Sequence, residues 1–123
     1  MKNSLFSFKR FKGSFVYAWA GLWQLLKKEQ NLWLIFAAAV LIICLAWYLG
    51  LSSVEKAILI LLCVSVIGAE ILNTAVEFIS DMFHLDEHLN IKEIKDIMAG
   101  FVLIWSIAAI IIGLLIFWHH IFS

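Results

Sequence analysis

The sequence predicts an all-α membrane protein, with three transmembrane helices preceded by an N-terminal amphipathic surface helix. Three observations carry that expectation. Of 123 residues, 64% are hydrophobic and 15% charged, with no proline, a composition far from that of a soluble domain. Three stretches approach the ~20 apolar residues needed to cross a ~30 Å hydrocarbon layer. Finally, the charged residues gather before and between those stretches, except for a row of acids inside the second one.

The first element is the surface helix, about residues 5–30. Phe8, Phe11, Phe15, Trp19, Leu22 and Leu26 recur at helical spacing and share one narrow arc, while Lys9, Arg10, Lys12, Gln24, Lys27 and Lys28 take the rest of the wheel. A helix so divided lies in the membrane interface, aromatic stripe toward lipid and cations toward headgroups, or packs its stripe on the spans. Glu29 follows on the apolar side, where an anion is costly unless paired, metal-bound or snorkelling, so it is a candidate functional group.

The first span, about 32–49, has no charged residue and ends on the interfacial aromatics Trp47 and Tyr48. Gly50 to Lys56 forms a short connection, with Ser52 or Ser53 suited to cap the next helix. The second span, about 57–83, is uninterrupted through Gly68 and then acquires Glu70, Asn73, Glu77 and Asp81. A polar connection from about His84 to Glu93 folds it into a hairpin with the third span, about 97–122. In that span Ala99, Ser106 and Gly113 recur every seven residues, a spacing that permits close helix contact in lipid. A single membrane-embedded domain, 1–123, uses the whole chain.

Eight of the nine lysines and arginines fall before the first span or between the second and third; Lys56 is the exception. The positive-inside rule then puts the N-terminus and the second connection in the cytoplasm. The basic start lacks the apolar core and small-residue site of a signal peptide, so the first span is expected to persist. Cys44 and Cys63 lie inside spans without metal-ligand spacing and read as apolar packing groups. His119 and His120 beside Trp118 read as interfacial residues. A formal net charge of zero removes the electrostatic case for nucleic acid.

The acids of the second span are the informative feature. Glu70, Asn73, Glu77, Asp81 and His84 fall within an arc of about 80° at 100° per residue, one polar face on an otherwise apolar helix. Burying carboxylates costs several kcal/mol each, on the order of magnitude, unless cations, hydrogen bonds or water compensate. A hard divalent ion is one compensation, since Mg²⁺ takes one or two carboxylates together with substrate phosphates. Lys92, Glu93, Lys95 and Asp96 follow, and a lysine there can meet phosphate oxygens. The stripe by itself fits phosphate chemistry beside lipid, an ion or proton path, or interhelical hydrogen bonding that only assembles a bundle. No Gly-rich phosphate loop is present, so any ATP site does without one.

Glu70-Ile-Leu-Asn-Thr-Ala-Val-Glu77, then Asp81, then Lys95-Asp96 before Ala99-Gly100, resembles the prokaryotic diacylglycerol kinase family, whose Gram-positive members are often undecaprenol kinases. Phe15-Val-Tyr-Ala-Trp-Ala-Gly-Leu22 and the Glu29-x-Asn31 element are similar to the family's N-terminal helix and its acid. The resemblance covers nearly the whole chain. It implies a homotrimer in the bacterial cell membrane, with active sites shared between subunits near the cytoplasmic surface. Carried over by position, Glu70 is the general base supported by Asn73, Glu29 and Glu77 ligate Mg²⁺ on the ATP phosphates, and Lys95 contacts those phosphates. Asp96, Asp86, Glu87 and His88 belong to the nucleotide pocket, joined by Arg10 and Tyr17 from the surface helix. Gln30, Ile94 and Phe101 depart from the residues common in relatives.

The expected activity is therefore ATP- and Mg-dependent phosphorylation of a lipid hydroxyl. Undecaprenol is favoured by the Glu29-x-Asn31 element, and diacylglycerol is the alternative. An oligomeric ion or proton conductor is the competing class, and it leaves Lys95-Asp96 and the aromatic surface helix without a specific role.

Overall fold

The computed structural model describes residues 7–82 and 89–122. Four helices account for nearly all of them: α1 (Phe8–Lys28), α2 (Gln30–Tyr48), α3 (Ser53–Met82) and α4 (Leu89–Phe122). The described residues contain no strand. The chain forms two compact units, Met1–Leu34 and Ile35–Ser123.

In the first unit, Ser7 caps α1 through its side chain, which accepts the Arg10 backbone N–H at 3.4 Å. The helix closes on Lys27 and Lys28, cations that suit the negative end of the helix dipole. Glu29 alone is non-helical, with extended backbone at φ −113°, ψ 101°. Its N–H still donates to the Leu25 carbonyl at 2.9 Å and its own carbonyl accepts from Leu32 at 3.3 Å, so one residue closes α1 and opens α2. No residue of α1 is buried. Phe8, Phe15 and Trp19 stand exposed, and Phe11 meets Phe15 edge-on at 5.0 Å, so the aromatic stripe is available to lipid.

In the second unit α2 ends in a left-handed turn. Gly50 has φ +72°, the Leu51 N–H donates to the Ala46 carbonyl and the Gly50 N–H to that of Trp47, both at 3.1 Å. These are the two bonds of a Schellman closure, and Leu51 and Ala46 supply its apolar contact in one cluster with Leu59. Ser52 then caps α3 reciprocally: its N–H donates to Glu55 Oε1 at 3.0 Å, and the Glu55 N–H donates to Ser52 Oγ at 3.1 Å.

Helices α2, α3 and α4 are long and apolar enough to cross a membrane. At ~1.5 Å per residue α2 is about 28 Å long, matched to a bilayer core, whereas α3 and α4 run to about 45 and 51 Å. Both extend past the apolar segments that mark them in sequence. The Ser52 cap starts α3 four residues before Ala57, and α4 is already helical at Leu89, eight residues before Ile97. Leu89–Glu93, expected in the connection, are helical, and a Lys92–Asp96 pair one turn apart supports that polar first stretch of α4.

Helices α3 and α4 lie close alongside each other. Between α2 and this pair runs an apolar groove of about 500 Å³, lined by residues such as Ala39, Ile42, Leu59, Val66, Ala109 and Phe117. Few side chains are buried; Leu61, Ile104, Ile110 and Leu114 are exposed, as suits a surface solvated by acyl chains. Cys63 is half-buried on the groove, but Cys44 is exposed on α2, because its position on the wheel faces away from α3 and α4. The packing role read for Cys44 is corrected accordingly.

Candidate active site

The polar face of α3 is built by helix periodicity alone. Glu70 and Asn73 are half-buried, while Glu77 and Asp81 are exposed nearer the helix end. Seven residues separate Glu70 from Glu77, a rise of about 10 Å, so two carboxylates stand two turns apart on one face. The neighbouring hydroxyls are spoken for by their own helix. Thr74 donates to the Glu70 carbonyl at 3.0 Å, Ser80 to that of Val76 at 3.0 Å and Ser65 to that of Leu61 at 2.8 Å. Among the described residues the side chains of Glu70, Asn73 and Glu77 have no such partner, so these acids and the amide are the groups of α3 open to a ligand.

At the same end of the hairpin α4 contributes two lysines and an aspartate. Lys92 Nζ donates to Asp96 Oδ2 at 2.8 Å, and Lys95 Nζ lies 4.0 Å from Asp81 Oδ1 on α3. Lys95 and Asp96, expected to bind nucleotide, therefore stand beside the end of the acid stripe. The pairing of Asp81 with Lys95 was invisible in sequence, since wheel positions on one helix do not state which face a second helix turns toward it, whereas Lys92 and Asp96 stand at i,i+4 on α4 itself.

In the first unit, Arg10 and Tyr17 are both exposed and seven residues apart, hence on one side of α1. Glu29 is half-buried at the break between α1 and α2. The break itself was the missed feature: no glycine or proline marks it. Asp86, Glu87 and His88 lie outside the described residues.

The donor set suits a hard, oxygen-seeking cation. Among the described residues no three His, Cys, Asp or Glu side chains converge as a closed metal site would require. Single carboxylates such as Glu77 offer few protein ligands and leave positions for phosphate oxygens and water, the habit of Mg²⁺.

The model of the family described as prokaryotic diacylglycerol kinase matches residues 16–117, which include the α3 acids and Lys95-Asp96. The chain belongs to the prokaryotic diacylglycerol kinase family. This member is 37% identical over 108 residues to an undecaprenol kinase of Bacillus subtilis, covering 88% of each chain. It is 36% identical to a diacylglycerol kinase of Synechocystis over 101 residues, which is 81% of this chain and 58% of that one. A diacylglycerol kinase of Escherichia coli shares 28% identity over 120 residues, 98% of both chains. No solved structure matches. The protein is thus a multi-pass membrane enzyme, a lipid kinase, and the resemblance carried by Glu70–Glu77 and Lys95-Asp96 is borne out. A bare ion conductor is displaced as its reading.

Proposed function

We propose that this kinase transfers the γ-phosphoryl group of Mg-ATP to the terminal hydroxyl of undecaprenol, yielding undecaprenyl phosphate and ADP. The observation that carries the reading is the α3 face, where Glu70 and Glu77 are held two turns apart without protein partners among the described residues. The 37% identity to the Bacillus undecaprenol kinase, extending over most of both chains, supports the choice of lipid.

Phosphoryl transfer asks chiefly for positioning and charge neutralisation. In this reading Glu70, the acid deeper along α3, accepts the proton of the lipid hydroxyl as its oxygen attacks the γ-phosphorus and ADP departs. Asn73, one turn on, orients that hydroxyl or the carboxylate by hydrogen bonding. Glu77 and Glu29 would hold Mg²⁺, which supplies charge neutralisation on the phosphates when bound. Lys95 meets phosphate oxygens, and Asp96, Arg10, Tyr17, Asp86, Glu87 and His88 complete the nucleotide pocket. The residues 1–123 act as one kinase domain, in a homotrimer whose neighbouring subunits share sites. The cation distribution supports a cytoplasmic N-terminus and α3–α4 connection, on the side where ATP is available.

A second reading, diacylglycerol as acceptor, is favoured by the names of the Synechocystis and Escherichia coli relatives. Transfer of labelled γ-phosphate to undecaprenol and to dioleoylglycerol, side by side in mixed micelles, separates the two. Higher kcat/KM for undecaprenol is expected. Preference for dioleoylglycerol replaces the first lipid by the second, and transfer to neither, by protein shown to be folded, rejects both.

A further inference from the structure

Asp81 continues the acid stripe one turn beyond Glu77, yet the mechanism above gives it no part. Its geometry differs from that of the other stripe acids. Glu70 and Glu77 have no protein partner among the described residues, whereas Asp81 Oδ1 faces Lys95 Nζ at 4.0 Å across the α3–α4 hairpin. Lys95 is the more enclosed of the two, with its side chain 32% exposed against 60% for Asp81. Asp96, the other carboxylate next to Lys95 in sequence, is engaged at 2.8 Å by Lys92 on α4 itself. Among the described contacts of these four charges, one pair runs along α4 and one joins α4 to α3.

We infer that Asp81 is a positioning residue for the phosphate-binding lysine, holding the Lys95 ammonium on the α3 side of the hairpin, beside Glu77, before nucleotide arrives. The inference rests on the role given to Lys95 under Proposed function. Lysine is a compact charge on a four-carbon stem with large rotamer freedom, so its ordering opposes binding unless the protein has already restricted it. A pair at 4.0 Å with partly exposed partners adds little to fold stability. Its consequence is directional: it joins the lysine of α4 to the acid face of α3, which periodicity alone leaves on separate helices. Asp81 also carries negative charge, and if it acted mainly by repelling phosphate, its removal would tighten nucleotide binding instead of weakening it. The sign of the effect therefore decides between the two roles.

The test is a double-mutant cycle in mixed micelles on the full chain, using Asp81→Asn, Asp81→Glu, Lys95→Gln and the Asp81→Asn/Lys95→Gln pair. Binding of trinitrophenyl-ATP gives a dissociation constant even for a variant without turnover, and KM and kcat are measured where turnover persists. Asp81→Asn is expected to weaken nucleotide binding about 3- to 5-fold, the scale of a partly exposed ion pair, with KM for ATP moving more than kcat. Asp81→Glu, whose longer arm still spans the gap, stays within about twofold of wild type on the same scale. In the Lys95→Gln background the Asp81→Asn effect disappears, because the interaction it removes is already gone. An equal loss in both backgrounds, no loss, or tighter binding in Asp81→Asn overturns the inference. If Lys95→Gln alone leaves nucleotide binding intact, the phosphate role of Lys95 itself has failed, and that outcome is read from the single variant.

Discussion

Gly50 sets how α2 hands over to α3, and replacing it with alanine isolates the backbone contribution of that turn. Its φ of +72° lies in the left-handed region, and a Cβ built there meets no atom within 4 Å. Steric collision with neighbours therefore adds nothing, and the cost is that of an L-residue held in this conformation, about 1–2 kcal/mol. Alanine also restricts the unfolded chain, which returns about 0.4–1 kcal/mol. The net expectation is a loss of about 1 kcal/mol, roughly a fivefold fall in the folded-to-unfolded ratio. Asparagine, which visits the left-handed region more readily, should recover part of that loss. Unfolding by SDS in mixed micelles, followed by tryptophan fluorescence, measures it, and Trp47 gives a local reporter with Lys56 Nζ 4.4 Å from its ring centre. Phosphotransfer in membranes should be unchanged, because Glu70 lies 17 residues into α3 from Ser53, about 26 Å away along the helix. Equal stability of Gly50→Ala and wild type, or equal losses for alanine and asparagine, would refute this account of the turn.

Ser52→Ala removes the acceptor of the Glu55 N–H and one half of the reciprocal cap, so the same SDS titration should show a loss of about 1 kcal/mol. Glu77→Gln keeps shape and removes charge from a proposed Mg²⁺ ligand. The Mg²⁺ concentration for half-maximal turnover should then rise at least about tenfold, read from initial rates at fixed ATP, while the far-ultraviolet spectrum stays that of wild type.

The spans were legible because lipid demands helices with unbroken apolar surface, and Leu32–Leu49, Ala57–Gly68 and Ile97–Phe122 supply it. Hydropathy alone left their ends open, because it ceases to mark a helix once it leaves the bilayer. The start of α3 was legible instead from Ser52, a cap candidate in the sequence whose reciprocal bonds with Glu55 form, whereas Leu89–Glu93, helical in α4 with the Lys92–Asp96 pair beside them, were expected in the connection. The break at Glu29 had no sequence signal, since Lys28, Glu29 and Gln30 are all good helix formers. The acid face of α3 could be read residue by residue, as it lies on one helix with fixed periodicity. The approach of Asp81 to Lys95 could not, since it depends on how α4 is rotated against α3.

Transfer at the α3 face is tested most directly by Glu70→Gln. The substitution preserves size and removes the base, so labelled phosphate transfer from Mg-ATP to undecaprenol should fall by about 10²- to 10⁴-fold while trinitrophenyl-ATP still binds. Turnover within a few-fold of wild type would contradict the account and move the proton acceptor away from Glu70.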